Sequence, residues 1–199
     1  YGHSTGTNTM IRAFLLLYIS LFISACSTNS KQIIIAPTSV DAINQWQASG
    51  RVGIRTSNDA ISGNFNWDHS PQGFSLVISG PFGQGTTKLT QDENQLVTLE
   101  YKDTKATGSN PGLLLEQHFG WQFPVTQIAY WARGLAEPNT AAAFSYSVQS
   151  QQLEELVQDG WTVTYKEYSL VQGLLLPRKL QAVKAPFRVN LIINDWTIQ

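Results

Sequence analysis

The sequence predicts a mainly β fold with a small helical part: one large, curved antiparallel sheet of about eleven strands, with about three short helices on one side. Three observations carry this. Apolar and polar residues alternate with period two from Arg51 to Ser79. The pattern breaks once, between Asn110 and Gly134, where the period turns helical. It then returns to two and holds almost to the C-terminus, with no βαβ alternation, fixed-period repeat or low-complexity tract.

The elements follow in order. Asp41 can cap a short helix through Trp46, with Ile43 and Trp46 at i, i+3 on one face. Val52, Ile54 and Thr56 alternate with Arg51, Gly53 and Arg55 in a first strand. Ile61, Gly63, Phe65 and Trp67 share one face of a second strand, and Phe74, Leu76 and Ile78 one face of a third. Ser57-Asn58-Asp59, the stretch from His69 to Gly73, and Gly80-Pro81 are the turns around them. Strands are expected near Thr86–Thr90, Leu96–Tyr101 and Lys105–Thr107. Asn110-Pro111 starts a helix that Gly120 ends. Val125, Ile128, Ala129 and Ala132, at i, i+3, i+4 and i+7, form an amphipathic helix running to Gly134. Strands resume over Ala143–Val148, Gln152–Val157, Trp161–Tyr168, Leu176–Ala182 and Phe187–Trp196. So few helices are too little to fill the inside of so large a sheet, which leaves room for a cavity.

The N-terminal segment has its own logic. Met10 is the single methionine, so residues 1–9 read as an upstream extension and residues 10–25 as a signal peptide. Arg12 is its basic n-region, Ala13 to Ile23 its apolar h-region, and Ser24-Ala25 the small residues before cleavage. The run falls short of the roughly 17–25 apolar residues of a transmembrane helix. Cys26, the only cysteine, follows immediately. Ile23-Ser24-Ala25-Cys26 resembles a bacterial lipobox, which makes Cys26 the site of an S-diacylglycerol and an N-acyl group; the competing reading is an ordinary buried cysteine. Residues 26–39 are polar apart from Ile33-Ile34-Ile35 and read as a lipidated tether, although the isoleucines could instead pack on the body formed by residues 40–199.

The formal net charge of −1 argues against nucleic acid, because there is no basic stripe to displace counterions from phosphates. A lipidated Cys26 leaves no thiol for a disulfide or a soft-metal site. The two histidines beyond the leader, His69 and His118, have no second histidine at i+3 or i+4, which removes the usual zinc spacing. Glu154-Glu155 would point to opposite faces of a strand, and no GxSxG or GxxxxGK motif occurs. An enzyme is not expected, and neither a metal nor a cofactor is implied beyond the covalent lipid.

Six landmarks spread over the domain resemble the LolB family of outer-membrane lipoprotein receptors. They are Trp46-Gln47-Ala48-Ser49-Gly50-Arg51-Val52; Ser62-Gly63-Asn64-Phe65-Asn66-Trp67; Gly80-Pro81-Phe82-Gly83; Phe123-Pro124-Val125 with Tyr130-Trp131-Ala132-Arg133-Gly134; Gly160 to Tyr165 with Leu176-Pro177; and Val189 to Ile193 with Trp196. The resemblance implies an unclosed antiparallel β-barrel, lidded by helices around an apolar cavity. It implies a monomeric receptor that takes acylated lipoproteins from the periplasmic carrier LolA and releases their chains into the outer-membrane bilayer without ATP. Ser27, in place of the aspartate that retains lipoproteins in the inner membrane of enterobacteria-like systems, suggests an outer-membrane location facing the periplasm of a Gram-negative cell. Other readings of a β-rich lipoprotein are a scaffold of an outer-membrane complex and a carrier or sensor of free lipid.

In this family a bulky apolar residue, commonly leucine, sits at the tip of a protruding loop that promotes insertion. Phe82, between Pro81 and Gly83, occupies that position here, though most phenylalanines fold into a core. Phe65, Leu76, Ile78, Ile128 and Leu191 are the candidates for lining the cavity. Trp67, Trp121, Trp131, Trp161 and Trp196 could line it or be plain core, since strand register decides which face points inward.

Overall fold

A computed structural model describes residues 37–80, 83, 85–120 and 123–199. Cys26, Pro81, Phe82, Trp121 and the three isoleucines of the tether lie outside the described residues. Eleven strands form a single antiparallel sheet: β1 Trp46–Arg55, β2 Ala60–Ser70, β3 Gly73–Ser79, β4 Thr87–Gln91, β5 Val97–Tyr101, β6 Thr104–Gly108, β7 Ala142–Tyr146, β8 Leu153–Gln158, β9 Trp161–Val171, β10 Leu174–Lys184 and β11 Phe187–Ile198. Two helices, α1 Pro111–Phe119 and α2 Val125–Trp131, connect β6 to β7.

The sheet order is β6-β5-β4-β3-β2-β1-β11-β10-β9-β8-β7. Two meanders run outward from a central β1–β11 pair, and the two outermost strands do not bond to each other. The barrel is therefore unclosed. The helical connection runs from one free edge to the other, because the chain must cross from β6 to β7. α1 packs on β5 and β6 and against α2, while Trp131 of α2 meets Trp161 of β9 at 5.9 Å between ring centroids. The sheet thus wraps around its helices.

Residues directly opposite in antiparallel strands share a face. The register links Ile54 to Ile61, Phe65 to Ile78, Trp67 to Leu76, Leu76 to Leu89 and Leu89 to Leu99, a continuous apolar inner surface. On the other half Val52 faces Leu191, Leu191 faces Leu180 and Leu180 faces Tyr165. A bulge at Ser49/Gly50 brings β1 against β11 so closely that a Cβ on Gly50 would lie 2.0 Å from the Ile192 carbonyl oxygen. Only glycine fits there.

Helix α1 is built as its sequence suggests. Asn110 Oδ1 accepts the Leu113 N–H at 3.0 Å, Pro111 occupies the first turn, and Gly120 closes the end at φ +75°. The stretch from Asp41 to Trp46 departs from expectation. It is a turn, with Ala42 N–H bonded to Ser39 O and Ile43 N–H to Val40 O, both at 3.2 Å, and Trp46 already begins β1. Six residues are too few to pay for helix nucleation. Ile43 and Trp46 are both buried (1%), but their spacing serves a turn anchored on the core. Two helices, not about three, are therefore present among the described residues.

Candidate functional site: an apolar cavity at one end of the barrel

Following one strand shows how the inner face changes along its length. Ile61, Phe65 and Trp67 all point inward from β2, yet Phe65 and Trp67 are 2% and 3% exposed and Ile61 is 42% exposed. The inner face is therefore filled around Phe65 and Trp67 and open at the end near Ile61. There a cavity of ≈ 350 Å³ is lined by Ile54, Ile61, Leu76, Ile78 and Leu89 from the sheet and by Leu115, Phe119 and Phe123 from the helical connection. Its volume falls within the roughly 300–1,000 Å³ of ordinary ligand pockets. Asp59, Ser62 and the loop residues Gly80 and Gly85 also border it, so its mouth opens at the β1–β2 and β3–β4 turns. Tyr101 lies beneath Phe119, edge to face at 5.1 Å, which holds the end of α1 over the cavity.

The chemistry of this lining is non-directional. Apolar walls reward any apolar chain in proportion to the area it buries, and do not discriminate by functional group. The other end of the barrel is different. A cleft of ≈ 550 Å³ there is bordered by Asp68, His69, Gln72, Gln91, Asp92, Glu93 and Asn94. Trp46 and Phe74 also line it, so that cleft mixes aromatic rings with carboxylates and amides.

Between the two ends, polar bonds fix α2. Gln158, 1% exposed, accepts from Trp131 Nε1 at 2.9 Å and from the Glu137 N–H at 3.0 Å, and donates to the carbonyls of Glu137 (2.7 Å) and Thr140 (2.9 Å). Tyr165 donates its hydroxyl to Trp131 O at 3.0 Å, and burial pushes its pKa well up. Arg133, 6% exposed, donates through Nε to Ala129 O at 3.2 Å and through Nη1 to Ile43 O. Its guanidinium also lies over the rings of Tyr130 (5.1 Å) and Trp46 (6.0 Å). His69 stacks on Trp46 at 5.0 Å, and its pKa is lowered first by burial and then by the Arg133 charge, against a backbone hydrogen bond to Asn44.

Of the residues expected in the cavity, Leu76 and Ile78 line it. Phe65, Ile128 and Leu191 sit in the packed core at 2%, 1% and 3% exposure and do not border it. Trp67, Trp131 and Trp161 are core, and Trp196 is partly buried against it. Gly83 donates its N–H to Gly80 O at 3.0 Å, while Pro81 and Phe82 lie outside the described residues. Ile54, Ile61, Leu89, Leu115, Phe119 and Phe123 line the cavity without having been singled out; alternation marked Ile54 and Ile61 as inward but gave no depth along the barrel. Among the described residues no group of three His, Cys, Asp or Glu side chains could hold a metal ion, and no helix is long and apolar enough to cross a membrane.

An unclosed antiparallel barrel, wrapped around two helices and hollow at one apolar end, defines a binding protein suited to an apolar ligand. The comparisons with known proteins give the family. The model of the family described as "Outer membrane lipoprotein LolB" matches residues 44–196, and the chain belongs to that family. It is 53% identical over 189 residues to the outer-membrane lipoprotein LolB of Marinomonas sp. (strain MWYL1), covering 94% of this chain and 98% of that one. It is 32% identical over 159 residues to that of Chromohalobacter salexigens, covering 80% and 73%. Among solved structures, a LolA superfamily protein from Nitrosomonas europaea aligns with 78% of this chain and 86% of its own at a TM-score of 0.49 and 7% identity.

Proposed function

We propose that this protein is a lipid-anchored receptor of the outer membrane that takes acylated lipoproteins from the soluble carrier LolA and releases their acyl chains into the bilayer. The observation that carries the reading is the apolar cavity under α1, open at one end. Each methylene kept out of water is worth about 0.8 kcal/mol, so an acylated polypeptide does not cross an aqueous compartment unshielded. A site that binds chains more strongly than the carrier, and more weakly than the bilayer, passes them on without ATP. Family membership supports the outer-membrane location. In this reading residues 10–25 are the signal peptide, Cys26 carries the lipid, residues 26–39 are the tether and residues 40–199 act as a monomer.

Phe82, flanked by Pro81 and Gly83, would serve delivery rather than uptake. Burying a phenylalanine is worth roughly 1.5–3 kcal/mol, enough to bias a transient bilayer contact. A transfer assay with carrier-bound lipoprotein and outer-membrane vesicles tests both steps. Phe82→Glu should leave melting temperature and uptake close to wild type and slow delivery, whereas Phe82→Leu should deliver normally. Normal delivery by Phe82→Glu, or a large stability loss, removes Phe82 from the mechanism. Equal uptake of acylated and unacylated lipoprotein would sink the receptor reading in favour of a scaffold.

A further inference from the structure

At the end of the barrel opposite the cavity mouth, the β9–β10 hairpin leaves the hydrogen-bonded ladders of both its neighbours. β8 pairs with β9 only between Trp161 and Thr164, and β11 pairs with β10 only from Lys179 to Lys184. Beyond those limits, Tyr165–Val171 and Leu174–Arg178 pair only with each other, as a two-stranded arm. Gln172 (φ +49°) and Gly173 (φ +89°) make its turn, the pair of left-handed residues that a tight hairpin needs.

The arm has two unlike faces. On one side Val171 and Leu174 pack on the core and Leu176 is fully buried. On the other, Tyr168 packs on the core near the base opposite Pro177, and toward the tip Leu170 and Leu175 stand directly opposite each other, 71% and 49% exposed. Closer to the base, Arg178 and Lys179 flank a single carboxylate, Glu167, at 3.0 and 3.4 Å. An apolar tip with a collar of excess positive charge suits the interface of a bilayer containing anionic phospholipid.

The path of the chain points the same way. Gln199 N–H bonds to Gln45 O at 2.9 Å, and the arm's own Gln172 donates to Ile198 O at 3.3 Å, so the chain leading into β1 enters the barrel beside the arm. From Cys26 to Pro37 the chain reaches about 40 Å at full extension, so an anchor at Cys26 would keep the domain close to the bilayer. Such tethering raises the effective concentration of a weak contact into the millimolar range.

We infer that the Leu170/Leu175 arm is a second, reversible bilayer contact, which rests the anchored domain on phospholipid with its cavity mouth turned away from the membrane. The inference relies on the proposed anchor at Cys26 only for which surface lies within reach. In that posture the mouth faces arriving cargo, and delivery requires the domain to turn over on its tether.

The test uses the full lipidated chain in phosphatidylethanolamine/phosphatidylglycerol vesicles, with an environment-sensitive fluorophore on Leu170→Cys and, separately, on Asp103→Cys in the β5–β6 turn at the mouth end. The probe at 170 should shift to the blue and be quenched by brominated acyl chains, and the probe at 103 should not. Adding Leu175→Asp should return the spectrum at 170 to its aqueous form, and replacing phosphatidylglycerol with phosphatidylcholine should weaken the quenching. Aqueous spectra at both positions in vesicle-bound protein overturn the inference. So does a blue shift at 170 that brominated lipid does not quench, which would mean a protein partner or a second copy. If the protein is not vesicle-bound and its N-terminal peptide carries an unmodified Cys26, the anchor reading fails instead. The arm then stands or falls on whether the unanchored chain floats with phosphatidylglycerol vesicles and loses that flotation with Leu175→Asp.

Discussion

Ile61→Asp separates the cavity from the core. Ile61 is 42% exposed, so rather more than half of the side chain is buried, against the wall that also carries Ile78 and Leu89. Full burial of an isoleucine is worth about 1.5–3 kcal/mol, so the folded domain should lose about 1–1.5 kcal/mol. At this chain length that lowers the melting temperature by roughly 2–6 °C, a change the fold survives. The effect on an acyl chain should be larger. A carboxylate at residue 61, in the same lining as Asp59, keeps its water and denies that stretch of wall to hydrocarbon. Losing contact with about three methylenes at about 0.8 kcal/mol each weakens binding roughly 50-fold. The assay is displacement of an apolar fluorophore by a diacylated peptide, with the unacylated peptide as blank and Glu93→Gln in the polar cleft as control. Undiminished displacement by a folded Ile61→Asp would refute the assignment of this cavity to acyl chains. A fall in melting temperature far beyond a few degrees would show that Ile61 is core.

Two other predictions concern what holds the helical connection in place. Gln158→Leu keeps the volume but strands Trp131 Nε1, the Glu137 N–H and two carbonyls. The expected cost is about 3–5 kcal/mol, read as a drop of roughly 10 °C in melting temperature; a near-neutral result would mean that water replaces the side chain. His69, whose pKa in the fold lies below the unfolded 6.5, binds its proton more readily when unfolded. Stability should therefore be steady above pH 6.5 and fall as pH drops from 6.5 through the lowered folded value. His69→Phe should flatten that part of a melting-temperature profile, and an unchanged slope would assign the acid sensitivity to other groups.

The sequence exposed the strands because each buries one face and wets the other, and a period of two survives any uncertainty in register. Alternation says which face a side chain takes, not how far along the barrel it lies. Phe65 and Ile61 have the same signature on β2, yet one is core and the other borders the cavity, since only tertiary packing distinguishes positions along one face. Leu191 on β11 was a plausible cavity residue for the same reason and Ile128 by its place on the apolar side of α2, and both are packed core. Arg133 and Gln158 could not be read at all. Their partners are 90 and 21 residues away, and a buried arginine that bonds to carbonyls rather than to a carboxylate leaves no charge pattern in the sequence. The arm was half legible: the strands were expected to end at Tyr168 and begin at Leu176, just where ladder pairing to their outer neighbours has already stopped.

The position of the cavity follows from how the connection is anchored. α2 is tied to the turn before β1 through Arg133 and to β8 and β9 through Gln158 and Tyr165, all side chains buried below 7%. α1 borders the cavity through the apolar side chains of Leu115 and Phe119, the latter edge to face with Tyr101. Desolvated polar bonds are costly to break, whereas apolar contacts with a helix can be exchanged for apolar contacts with a ligand at little net cost. Under the proposed function, an acyl chain that needs more room than ≈ 350 Å³ is therefore expected to gain it on the α1 side, between the helix and β2–β5, and not by moving α2. The same asymmetry keeps the middle of the barrel, around the buried Trp131, Gln158 and Tyr165, filled. In the proposed function acyl chains would then enter and leave by the mouth at the β1–β2 and β3–β4 turns, where the loop carrying Phe82 begins and ends.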